Sequence, residues 1–193
     1  MALSVMFAES LNPDDFYKGR TDANASHGVL GVQESDSCYR IVLTKKMLKH
    51  AVKEAARKQL TVLHISAHGD RNGIQLSDGM DVDWPELAKM LAPFASLRTT
   101  VVISACDGGH VRFTKALEKN DVRFGCVFGP LGEPGFVESC LAWSVLYFDL
   151  DGKKLNRQNV TTALEKVNHA ASATFVCRRW SRKKEAYISI AKT

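Results

Sequence analysis

The stretch Thr100-Val101-Val102-Ile103-Ser104-Ala105 carries no charge and no turn-forming residue, and the chain then breaks at once into Cys106-Asp107-Gly108-Gly109. An apolar run this short and continuous fits a strand covered on both faces, as in a parallel sheet flanked by helices. A second run, Leu60 to Ser66, has the same β-rich character and stops at Ala67-His68-Gly69-Asp70. Helical periodicity separates these strands from each other and from their neighbours. The alternation predicts an α/β chain with a mainly parallel central sheet and helices on both faces.

Along the chain, Leu3 to Ala8 is a short strand, and the Asp- and Asn-rich segment Ser10 to Ser26 reads as a long mobile loop. Gly28 to Val32 and Cys38 to Leu43 look like two extended pieces around the turn 34–37. Thr44 caps a helix whose apolar face is Met47, Leu48, Ala51, Val52, Ala55 and Ala56. Residues 73–82 alternate about Asp78-Gly79 as a small hairpin, and Asp83 caps a helix with Pro85 in its first turn. After the Thr100 strand come a helix (111–119), a strand (124–128), a helix ending near Gly152, a helix through Val160 and Leu164, and two strands, 173–177 and 186–191. With 193 residues, the simplest organisation is one domain, residues 1–193.

Composition narrows the function class. The hydrophobic share of 45% and charged share of 24% are those of an ordinary globular protein, and the net charge of +5 is mild. The basic cluster Arg178-Arg179-Trp180-Ser181-Arg182-Lys183-Lys184 interleaves a single aromatic residue, so it reads as a solvated turn and no nucleic-acid partner is expected. Five dispersed cysteines without a C-x-x-C pair argue against a disulfide framework and a structural zinc site, and for a reducing, cytoplasmic setting. Glu9 cuts the first apolar stretch short and no basic region precedes it, so no secretory leader is read; no run is long enough to span a bilayer.

The two strand ends carry the chemistry. If the runs are neighbouring parallel strands joined by a right-handed crossover, His68 and Cys106 emerge at one rim of the sheet. A thiol is mostly protonated at neutral pH, and an adjacent imidazole accepts its proton or stabilises the thiolate. Gly69, lacking a Cβ, lets a backbone N–H approach a substrate carbonyl, and with the Cys106 N–H it forms a candidate oxyanion hole. The competing reading is two packed residues, a buried cysteine being commonplace. His64, four residues before His68, opens a zinc set of His64, His68, Cys106 and His110. Its place deep in an apolar run reads more simply as a hydrogen-bonded core histidine, and no metal is expected.

The paired motifs Leu63-His64-Ile65-Ser66-Ala67-His68-Gly69-Asp70 and Val102-Ile103-Ser104-Ala105-Cys106-Asp107-Gly108-Gly109 resemble those of caspase-like (clan CD) cysteine peptidases, most closely the bacterial CHAT-domain branch. The likeness extends through residues 136–154 and 160–164, covering roughly Leu60 to Ala171. It implies a three-layer αβα sandwich, a Cys106 nucleophile, a His68 general acid/base, and Gly69 and Cys106 N–H groups as the oxyanion hole, with no cofactor and often no third member. It also implies a protein or peptide substrate, an activating partner protein, and a role in regulated defence or cell death, away from membranes.

One departure bears on specificity. Two residues before the nucleophile, metacaspases carry an acid and caspases a Gln, whereas this chain has Ser104. A hydroxyl supplies no ion pair, so a neutral or small P1 residue is expected. Ser104, Asp107, Gly129 and Glu133 are the candidate substrate-binding residues, with Glu138 a further acid nearby. The alternative function is a non-catalytic caspase-like scaffold that binds a protein partner.

Overall fold

The first strand, β1 (Ser4–Ser10), is buried along almost its whole length, and helices α1 (Pro13–Tyr17) and α2 (Asp22–Val32) follow it. Then come β2 (Asp36–Ile41), α3 (Lys45–Arg57), β3 (Val62–Gly69), the hairpin β4 (Gly73–Gln75) and β5 (Asp81–Asp83), α4 (Trp84–Leu91) and β6 (Thr100–Ser104). The chain continues through α5 (Val111–Lys119), β7 (Cys126–Leu131), α6 (Phe136–Leu150), α7 (Arg157–Ala170), β8 (Thr174–Ser181) and β9 (Ala186–Ser189). The structure, a computed structural model, describes residues 3–33 and 35–190.

The sheet runs β2-β1-β3-β6-β7-β8-β9, parallel from β2 to β7 and antiparallel beyond. The short hairpin extends the tip of β3, where His68 pairs with Gln75 and Gly69 with Ile74. Side-chain alternation sends Leu63, Ile65, Val101 and Ile103 to one face, against Leu48 and Val52 of α3, Leu87 of α4 and Phe113 of α5. Val62, Val102 and Phe128 go to the other, against Leu30 of α2, Trp143 and Leu146 of α6 and Val160 of α7. These are the three layers of an αβα sandwich.

Caps start the helices where the sequence places them: Thr44 accepts from Met47 N–H, and Asp83 from Glu86 N–H at 2.7 Å. The loop expected over Ser10–Ser26 is instead built around two helices, and Gly28 to Val32 is helical rather than extended. α2 has two glycines and little amphipathic pattern; it holds its form because Ala23, Ser26 and Leu30 are buried. The basic cluster also differs from a plain turn. Arg178 to Ser181 belong to β8, and the half-buried Arg178 donates through Nε to the Gly109 carbonyl at 3.0 Å.

Candidate active site

The register of β3 against β6 sets the site. Ser66 pairs with Ser104, and two residues beyond that pair lie His68 on one strand and Cys106 in the turn after the other. Because residues two apart share a face, His68 and Cys106 continue the face that Ser66 and Ser104 occupy. Both line a cavity of about 220 Å³ closed on its far side by Phe136 and Ser139 of α6. A second cavity, of about 340 Å³, opens on the other flank of His68 against the β4–β5 hairpin. The rim therefore sits in a cleft with a hollow on either side.

Backbone packing brings the strand tips this close. A Cβ on Gly69 would lie 2.8 Å from the Gly73 carbonyl oxygen, 3.0 Å from Ala105 Cβ and 3.5 Å from the Cys106 carbonyl oxygen. After Cys106 the chain turns through Asp107 at φ 54°, and the Gly108 N–H returns to the Ala105 carbonyl at 2.9 Å. Gly109 and Gly129 then meet face to face: a Cβ on Gly129 would stand 2.4 Å from Gly109 N. Gly129 thus supports the turn carrying Cys106 and does not line the cavity.

His68 has a partner that sequence reasoning missed. Its Nε2 lies 2.8 Å from Oδ2 of Asp15, whose side chain is 6% exposed while the imidazole is 40% exposed. Asn12 caps α1 by accepting from Asp15 N–H at 2.9 Å, and its Nδ2 donates to the same Oδ2 at 2.7 Å. Arg20 Nη1 donates to the other oxygen at 3.1 Å. Burial works to raise the Asp15 carboxyl, but the His68 hydrogen bond, helped by Arg20, outweighs it and holds the group below its ordinary value. An ionised Asp15 assigns the imidazole proton to Nε2 and leaves Nδ1 as the basic nitrogen. The ring also stands edge-on to Phe136, centroids 6.0 Å apart.

Cys106 is half-buried, and burial, with Glu133 and Asp107 nearby, pushes its thiol above the ordinary value. Of the two acids, Glu133 is exposed and lines neither cavity beside His68. Asp107 is occupied in holding the turn: Oδ1 accepts from Gly132 N–H at 2.9 Å and Oδ2 from Arg71 Nε at 3.1 Å. Glu138 is spent likewise on Gly135 N–H and Ser172.

Ser104 does line the cavity, and it leads to a residue absent from the sequence reading. Its hydroxyl donates to Oδ2 of Asp22 at 2.6 Å and accepts from Trp143 Nε1 at 2.7 Å. Ser66 donates to Oδ1 of Asp22 at 2.5 Å. Deeper on the same face, Glu9 is fully buried, accepting from Ala23 N–H at 3.0 Å and Tyr39 O–H at 2.6 Å. Burial lifts Glu9 to about 7, despite the Tyr39 hydrogen bond, with Asp22 adding to the rise. His64 is a core histidine bonded to Tyr147 O–H through Nδ1 at 2.7 Å, and burial drives it down to about 3. His110 caps α5 rather than facing His64. Among the described residues, no three His, Cys, Asp or Glu side chains are grouped to hold a metal ion.

No protein-family model matches the sequence, and no curated protein matches it. Solved structures match it in shape. One is the Arg-specific cysteine proteinase gingipain R, 14% identical at a TM-score of 0.56 over 90% of this chain and 46% of that one. The complex of Porphyromonas gingivalis RgpB pro- and mature domains matches at 12% identity and 0.56, over 86% and 43%. Caspase-1 from Spodoptera frugiperda matches at 13% and 0.57, over 99% and 92%. The chain spans less than half the length of the gingipain chains and nearly all of the caspase. Its fold is caspase-like.

Proposed function

We propose that this chain is a cysteine endopeptidase of the caspase-like kind, nearest the bacterial CHAT-domain branch, with Cys106 as nucleophile and His68 as general acid/base. The observation that carries the reading is the placement of His68 and Cys106 at adjacent strand tips, with the imidazole anchored through Nε2 by a buried carboxylate. In the first step, His68 Nδ1 takes the Cys106 proton as sulfur attacks the scissile carbonyl carbon. The C–N bond then breaks, His68 returns the proton to the leaving amine, and the acyl group remains on sulfur as a thioester. Water, deprotonated by His68, cleaves the thioester and frees the new carboxylate. The Gly69 and Cys106 N–H groups face the developing oxyanion.

A thiol held above its ordinary value gives a weak resting nucleophile, which suits an enzyme switched on by a partner protein. The setting proposed is a reducing cytoplasm, in keeping with five free cysteines, and the role cleavage of a specific partner in a bacterial defence or cell-death system. The test is incubation with proteins encoded beside it, reading new termini by mass spectrometry. Wild type is expected to cut one of them, Cys106→Ala none, and His68→Ala at a rate lower by roughly 10²–10⁴. A partner that binds wild type and Cys106→Ala alike and leaves both intact would favour the scaffold reading.

A further inference from the structure

We infer that the end of the sheet opposite His68 and Cys106 carries a second binding site, one that takes a small organic anion with an apolar body. A cavity of about 240 Å³ lies there, between the start of β6 and the loop joining α6 to α7. Thr100 begins β6 and Cys106 follows its end, so at about 3.3 Å per residue the two sites stand roughly 20 Å apart along the strand. The inference therefore does not rest on the peptidase reading. A cavity of this size falls below the usual range for drug-sized ligands, which limits the occupant to one small molecule. Leu3, Leu97 and Leu155 give it apolar walls. Leu3, Thr100 and Leu155 also border a smaller apolar hollow that runs inward between the sheet and α6.

Charge selects the sign of the ligand. Arg98, Lys153, Lys154 and Arg179 stand around the cavity, and no Asp or Glu lines it. The acids of the neighbouring chain are turned elsewhere: Asp149 pairs with Lys153 and Lys166, and Asp151 accepts from Leu3 N–H and Ser35. Among the described residues, Arg98, Lys154 and Arg179 make no ion pair, so one opening gathers three unmatched cations. A buried hydroxyl gives an independent argument. Thr61 is bonded to Ser4, and Thr99 to the Phe94 and Ser96 carbonyls. Thr100 is only 3% exposed, yet its Oγ1 has no hydrogen-bond partner. Buried hydroxyls are ordinarily paired. Thr100 shares its sheet face with Val102 and Cys126, and Cys126 lines the same cavity. A ligand oxygen seated there accepts from the Thr100 hydroxyl, the long cationic side chains close over the same group, and the apolar body lies against the three leucines.

The probe is naphthalene-2-carboxylate, titrated into the full chain and followed by the methyl NMR signals of Leu3, Leu97 and Leu155, which report the cavity directly. These signals are expected to shift saturably. The uncharged naphthalene-2-carboxamide, of nearly the same shape, is expected to bind at least about tenfold more weakly. Pyrophosphate, which has charge but no apolar body, should also bind at least about tenfold more weakly. Arg179→Gln and Thr100→Val should each weaken the carboxylate at least about threefold, with methyl signals remote from the cavity unmoved. Absence of a saturable shift in wild type, or equal affinity for carboxylate and carboxamide, would overturn the inference. Pyrophosphate binding as tightly as the carboxylate would overturn it too, by showing a site for charge alone. Should either variant fail to fold, the wild-type comparison of the three probes decides.

Discussion

At the residue scale, His68 and Cys106 stand out in the sequence because each ends an apolar run just before a glycine-containing break, His68 directly before Gly69 and Cys106 one residue before Gly108-Gly109, where a buried strand has no local use for it. Asp15 and Asp22 do not stand out. Both lie in a polar stretch full of acids, and their partners are 53 and 44 to 82 residues away, a pairing only the assembled sheet creates. Asp15→Asn keeps the size of the side chain but removes the charge that faces the imidazolium formed during attack. We expect kcat to fall by roughly 10²-fold or more with KM within about threefold, and an equal rise in KM would mean that Asp15 only shapes the cleft. Glu9 gives a prediction of a different kind. An unfolded glutamate ionises near 4.5 and the folded one near 7, so between these values the native chain keeps a proton the unfolded chain has lost. Stability from this group therefore falls as pH rises through that window. Glu9→Gln abolishes the effect, and its unfolding free energy, from urea titrations, should gain about 3 kcal/mol on wild type between about pH 4 and about pH 8.

At the element scale, strands and capped helices announce themselves, whereas α1 and α2 do not. α1 has five residues, too few for a period to show, and its one signal is the Asn12-Pro13 start. α2 is helical because α6 and the sheet cover it, information that no local window contains. Missing these helices meant missing the elements that deliver Asp15 and Asp22. Asn12 is the hinge between cap and site, since one side chain satisfies Asp15 N–H and steadies the Asp15 carboxylate. Asn12→Ala should cost about 1 kcal/mol of stability as a lost cap and lower kcat as Asp15→Asn does. The β7 contact is a second element-level test. Gly129→Ala sets a methyl against the backbone of the turn behind Cys106, and should cost about 2–3 kcal/mol by thermal or urea unfolding while displacing the nucleophile. A neutral effect would mean that β7 does not brace the turn.

At the scale of the whole molecule, the sheet order puts β3 and β6 side by side near its middle. The sequence foretold that adjacency through the crossover rule, and with it the common rim. It did not foretell that the segment after β1 would fold over the same rim and bring two acids there, Asp15 against His68 and Asp22 into the cavity that His68 and Cys106 line. On the proposed reading, β3 and the turn after β6 supply the imidazole and the sulfur, and α1 supplies the carboxylate that holds the imidazole. The most direct test of this account is the rate at which a peptidyl acyloxymethyl ketone labels the protein, with the modified residue mapped by mass spectrometry. The account predicts a single label, on Cys106, slowed at least about 100-fold by His68→Ala. Label spread over Cys38 or Cys140, or a rate indifferent to His68→Ala, would contradict it.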